Sequence, residues 1–188
     1  VYNKEMFDAA GVAYPDENWT WDDLVSASEK IHAATGKYGY MAYADDQLGY
    51  WNFVYQAGGY ILNEDKPKAG FTQPATEKAM KFYIGLQQND WCPDQTYFAE
   101  TAPGTAFFSE KGAMFLEGDW NILAELQNYP EMVGKWDVAV LPKCPDPESG
   151  DGRATISNGL CYATAASNKN LDTVKDILKF FGSEEGQR

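Results

Sequence analysis

Two stretches of this chain bring together residue types that could hold a small ligand. In the first, FFSEKGAMFLEGDW at 107–120, a short amphipathic helix is predicted from Ala106, Phe107 and Glu110, ended by a left-handed Gly112. The apolar run Ala113–Leu116 then reads as an interior strand, broken by Gly118, which delivers Asp119 and Trp120 to its carboxyl end. In open α/β sheets ligands bind at that edge. A carboxylate beside an indole suits a polyhydroxylated ligand, because the acid accepts hydroxyl hydrogen bonds while the ring covers the apolar face of a pyranose. The competing reading makes Trp120 ordinary core and Asp119 a cap for a helix at 121–127, and on this stretch alone it is the simpler one.

The second stretch is DDQLGYWNFVYQAGGY at 45–60, which gathers Asp45, Asp46, Tyr50, Trp51 and Asn52 where a loop enters a helix. Acid, amide and ring together make a carbohydrate shelf, with rings stacking and polar groups fixing orientation. Alternatively, Phe53, Val54 and Ala57 bury the helix and Trp51 packs beside them. Tyr50 and Trp51 are adjacent, so at least one of them is expected to face outward.

Catalytic signatures are sparse. His32 is the single histidine, which removes HExxH zinc chemistry, and Cys92, Cys144 and Cys161 show no CxxC spacing. No serine has glycine two residues before and after it, and neither GxxxxGK[ST] nor GxGxxG occurs. Neither a cofactor nor a metal is expected. Glycoside hydrolysis survives this filter, since it needs only two carboxylates at the right separation; Asp46, Glu117 and Asp119 are the candidates. Acids beside aromatics that bind sugar hydroxyls without cleavage are the plainer reading.

The elements that must position these residues alternate. Thr20, with Asp23 three residues on, caps a helix over 19–36 that Gly36 ends. YGYMAY at 38–43 alternates as a strand, Trp51–Ala57 is helical, and Tyr60–Leu62 resumes as strand. The turn-rich 63–70 loop is followed by a helix from Pro74 that buries Ala75, Ala79, Phe82, Tyr83 and Leu86. Beyond Trp120, a short helix at 121–128 leads to the strand WDVAVLP at 136–142, the loop KCPDPESGDGR and a β-prone run at 154–166. The last helix, 171–181, aligns Val174, Ile177, Leu178 and Phe181. This alternation means an α/β fold with an at least partly parallel sheet.

The 188 residues carry a formal net charge of −13, with six tryptophans and twelve tyrosines. That charge argues against nucleic acid or an anionic membrane surface as partner. Residues 1–29 set Glu5, Asp8, Asp16, Glu17, Asp22, Asp23 and Glu29 against Lys4 alone, a solvated acidic face. The opening VYNKEMFDAAGV starts in mid-structure, and GSEEGQR follows directly on a helix; a partial chain is expected.

Several stretches resemble, in order, the extracellular solute-binding proteins of ABC sugar importers, the maltose-binding-like group. They are YNKEMFDAAGVAYPDENWTWDDL at 2–24, WNFVYQAGGYIL at 51–62, FTQPATEKAMKFYIGL at 71–86, FFSEKGAMFLEGDW at 107–120, WDVAVLPKCP at 136–145 and ISNGLCYATAASNKNLDTVKDILKFFGSEEGQ at 156–187. The resemblance implies a periplasmic-binding-protein-like α/β receptor of two lobes, closing on an oligosaccharide by hinge motion without catalysis. Residues 1–160 would be most of the second lobe, and 161–188 a strand and helix returning to a first lobe that is largely absent. An importer permease is the implied partner, and an exported, periplasmic or lipoprotein-anchored location the implied setting. Residue by residue, the family's aromatic platform matches Trp120, with Asp119 beside it. The polar and aromatic loop before the Gly-Gly element matches Asp46, Tyr50 and Trp51, and the second interlobe crossing matches Ser157 to Gly159. Many members have Gly-Gly in that crossing; Ser157–Asn158 departs from that pattern, and Asn158 brings its own amide.

Overall fold

The computed structural model describes residues 1–63, 68–118, 120, 127–157, 159 and 161–188. Two compact units divide them, Val1–Ile156 and Ser157–Arg188.

In the first unit, β1 (Tyr2–Asn3) runs into α1 (Lys4–Ala10), whose N-cap is Asn3; the Asn3 side chain accepts a hydrogen bond from the Met6 amide. Helix α2 (Trp21–Thr35) opens with the reciprocal capping box of Thr20 and Asp23 and ends at a left-handed Gly36. Strand β2 (Tyr38–Tyr40) follows, then a wide helical turn, Asp46–Tyr50, and α3 (Trp51–Gln56). Helix α4 (Pro74–Leu86), α5 (Gln95–Glu100) and α6 (Pro103–Phe108) lead into β3 (Gly112–Met114), and β4 (Trp136–Asp137) comes after a 3-10 turn at Pro130–Met132. The strands lie in the order β2-β3-β1-β4, with β2 and β3 parallel and β1 antiparallel to both its neighbours.

Successive residues along β2 and its extension serve opposite faces, as strand pleating requires. Tyr40 and Ala42 join a cluster with Phe7, Trp21, Leu24, Ile31, Phe53 and Val54. Met41 joins a second cluster with Phe98, Phe107, Phe108, Phe115 and Met132, supplied largely by α5 and α6. Trp21 ties the first cluster together. Its ring stacks on Phe82 at 4.5 Å and its Nε1 donates to the buried Gln56 Oε1 at 2.7 Å. Gln56 Nε2 in turn donates to the Ala154 carbonyl at 3.0 Å, which fastens the segment after the 143–153 loop to α3.

Several sequence expectations are corrected here. Helix α6 starts earlier than expected, with Pro103 at a first-turn position where a missing N–H is harmless. Gly112 does not end it. The left-handed residue is Glu110 (φ 57°), while Gly112 is a buried strand residue whose Cβ would press on Met41 Sδ at 2.6 Å. Close approach, rather than positive φ, is what this glycine provides. The strand expected at Tyr60–Leu62 is a single bridge between Leu62 and Ala69, and that expected at 136–142 is ordered as strand only at Trp136–Asp137. Among the described residues of the β-prone run 154–166 there is no strand. The expected 121–128 helix lies largely outside the described residues, as do positions 64–67 of the 63–70 loop.

In the second unit α7 (Leu171–Phe181) has the expected length, and Tyr162 packs on Phe181 with ring centroids 5.0 Å apart. None of the helix's residues is buried. No helix among the described residues is long and apolar enough to cross a membrane.

Candidate ligand cleft

The candidate site is a cleft of about 270 Å³ in the first unit. One side is the wide turn before α3. Asp45 caps that turn by accepting the Leu48 amide at 2.9 Å, and Gly49 leaves helical geometry inside it (φ −140°, ψ −121°). Gly49 is buried, and a Cβ there would meet Tyr43 O at 2.7 Å and Tyr83 Oη at 2.8 Å, so the chain folds tightly over α4 at this point. The fold-over presents Gln47 and Leu48 to the cleft, with Asn52 from the first turn of α3.

The opposite side comes from the end of β3 and the chain beyond it: Leu116, Glu117, Gly118 and Trp120. Trp120 is 64% exposed, unlike the buried Trp21 and Trp91. Its six-membered ring lies so close to Gly118 that a Cβ on that glycine would collide with it. The ring is therefore seated against backbone and open to solvent on its remaining surface. Leaving a ring this exposed forgoes the apolar burial that ordinarily stabilises a fold, which suits a ring that stacks on a ligand.

The Glu117 carboxylate accepts the Gly118 amide at 2.8 Å, which turns the backbone beneath the indole. It is the one ionisable side chain among the described residues lining the cleft. Ala139 and Leu141, beyond β4, and Thr155 and Ile156 complete the wall. Apolar ring, amide, carboxylate and hydroxyl thus converge on one space. No group of three or more His, Cys, Asp or Glu among the described residues could hold a metal ion.

The structure places the residues singled out from the sequence unevenly. Trp120 is on the cleft. Asp46 is not part of its wall; its carboxylate accepts the neighbouring Gln47 amide at 2.7 Å. Tyr50 and Trp51 are both half-buried against the principal core, each keeping some exposed surface, and neither lines the cleft; Tyr50 lies edge-on to Tyr83 with centroids 6.5 Å apart. Trp51 Nε1 is enclosed with no hydrogen-bond partner. Gly159 is an exposed residue of the second unit. Asp119 and Asn158 lie outside the described residues.

Of the cleft-lining residues, Gln47, Leu48, Thr155 and Ile156 were not singled out from the sequence, and Glu117 was named there only as a carboxylate for hydrolysis. Glu117 carried a signal, since it is the acid two residues before the Asp119-Trp120 pair. Thr155 and Ile156 carried none, because their place depends on hydrogen bonds to Asn52 more than a hundred residues earlier.

A family model for bacterial extracellular solute-binding proteins matches residues 1–188. The chain belongs to that family. It is 27% identical over 197 residues to the arabinooligosaccharide-binding protein of Bacillus subtilis, spanning all of this chain and 43% of that protein. A solute-binding protein from Thermotoga lettingae, solved bound with alpha-D-tagatose, is 32% identical with a TM-score of 0.65, over 78% of this chain and 39% of that one. The GacH receptor of Streptomyces glaucescens, solved unliganded and with acarbose, superposes with a TM-score of 0.77 at 24% identity, over 97% of this chain and 45% of its own. That superposition establishes the periplasmic-binding-protein-like α/β fold. The solute-binding chain described here spans less than half the length of each of these relatives. Membership places it among exported proteins.

Proposed function

We propose that this solute-binding chain is the carbohydrate-holding part of a receptor that delivers an oligosaccharide to the membrane permease of an ABC importer, without catalysis. Residues 1–160 are most of its second lobe, and 161–188 belong to a first lobe supplied by the rest of the protein. The observation that carries the reading is the exposed Trp120 ring, seated against Gly118 in a cleft whose wall also brings amide, carboxylate and hydroxyl groups among apolar side chains. Trp120 stacks on a sugar ring, while Glu117 and Asp119 accept hydrogen bonds from its hydroxyls. The remainder of the protein closes over the sugar, driven by the extra affinity of the closed state for it. The relatives that bind an arabino-oligosaccharide and tagatose support a sugar ligand. A lipid anchor or a free periplasmic form completes the exported setting.

The test is a tryptophan-fluorescence titration of the full-length protein with arabino-, xylo- and malto-oligosaccharides, with the sugar recovered and sized afterwards. A saturable change with intact sugar is expected. Shortened sugar would replace the receptor with a hydrolase, and no response across the panel would remove carbohydrate as the ligand.

A further inference from the structure

Asn52 lies on the cleft wall yet has no polar atom left for a ligand. Its Nδ2 donates to Gln47 O at 2.8 Å and to Gly49 O at 3.3 Å. Its Oδ1 accepts the Thr155 hydroxyl at 3.3 Å and the Ile156 amide at 3.2 Å. The residue is 4% exposed. The first two partners belong to the turn that Gly49 breaks out of helical geometry, where carbonyls lose their regular helical donors. The other two are the last two residues of the first unit. Both segments reach the cleft, the turn through Gln47 and Leu48 on one wall, the other through Thr155 and Ile156 on the next.

We infer that Asn52 is a positioning residue that sets the spacing of these two walls, and with it the affinity for sugar, without touching the sugar. The inference rests on the proposed carbohydrate function. Only a primary amide offers two donors and a two-fold acceptor on one short planar group. An aspartate there keeps the acceptor but turns the donor side into a second acceptor, facing two carbonyls. An alanine leaves those carbonyls and the Ile156 amide without their partner, and the turn and the 155–156 segment are freed from each other.

The experiment compares Asn52→Asp and Asn52→Ala with the wild type in the full-length protein. Affinity is measured at pH 7.5 and pH 5 for whichever oligosaccharide of the panel above the wild type binds. The titratable groups on the elements packed around α3 and the cleft are Asp45 and Asp46 on the turn, whose carboxylates accept the Leu48 and Gln47 amides, Tyr50 at its end, Tyr83 on α4 and Glu117 on the opposite wall. Arg153, just before the Thr155 segment, donates to the Glu17 carbonyl. The surrounding acids and the two carbonyls favour protonation of an aspartate at 52, which restores one donor. The ratio of variant to wild-type Kd at each pH removes any dependence of the wild type itself.

For Asn52→Asp this ratio is expected to be about tenfold at pH 7.5 and to fall to about threefold or less at pH 5, tenfold being about 1.4 kcal/mol. For Asn52→Ala it should be about tenfold at both. Amide exchange in the ligand-free variants should rise together at 47–49 and 155–156, with α2 unchanged. An Asn52→Asp ratio near one at pH 7.5, a ratio equal at the two pH values, or exchange that rises throughout the chain would overturn the inference. A wild type that binds no sugar overturns the function beneath it, and the inference with it.

Discussion

Helices α4 and α7 have the same kind of sequence and opposite fates. Both carry an apolar stripe at helical spacing, α4 through Ala75, Ala79, Tyr83 and Leu86, α7 through Val174, Ile177, Leu178 and Phe181. In α4 that stripe is buried against the core of the first unit; in α7 nothing is buried, and Ile177, Phe180 and Phe181 stand among the exposed large hydrophobics. Amphipathic spacing therefore specifies a face that wants cover, and says nothing about which part of the molecule provides it. The proposed assignment of 161–188 to a first lobe supplies that cover from the rest of the protein.

The contrast can be broken most forcefully at Leu86. Leu86→Ala removes a buried side chain from α4 and should lower unfolding stability by roughly 2–5 kcal/mol, read from chemical denaturation of the full-length protein. A loss below about 1 kcal/mol would mean the α4 face is not the packed one.

Next in size is a change that touches the exposed ring rather than either stripe. Gly118→Ala pushes a methyl group into the space of the Trp120 ring. Sugar affinity should fall about tenfold, close to 1.4 kcal/mol, with the melting temperature little changed. Equal losses in stability and affinity would class Trp120 with the core aromatics.

Thr20→Ala tests the capped helix α2, whose end is stabilised locally. It removes the hydroxyl that accepts the Asp23 amide and should cost about 1 kcal/mol of stability, with sugar affinity unchanged. The smallest effect is expected on the uncovered helix. In the 188-residue chain by itself, Ile177→Ser should change stability by less than about 0.5 kcal/mol, whereas in the full-length protein it should cost several times more. Equal effects in the two would contradict the proposed cover.

What could be foreseen from the sequence follows the range of the interactions involved. The α2 boundaries were legible because Thr20, Asp23 and Gly36 act on backbone within a turn of themselves. The spacing of α4 and α7 was legible for the same reason. Gly112 was misjudged because a glycine chosen for close approach to Met41 looks the same in sequence as one chosen for positive φ. The 46–50 turn was invisible in detail, since its shape depends on Gly49 meeting Tyr43 and Tyr83, thirty-four residues apart from it in the latter case. It is this turn that brings Gln47 and Leu48 to the cleft. Trp120 was found because an indole following a glycine turn at the end of a buried run is a local pattern.

The most direct test of the account is a calorimetric titration of wild type and Trp120→Ala full-length protein with the same bound oligosaccharide. The exposed, backbone-seated ring predicts a loss of about 2 kcal/mol, roughly thirtyfold in Kd, with unfolding stability unchanged within about 0.5 kcal/mol. Unchanged affinity would contradict the account and place the sugar somewhere other than this cleft.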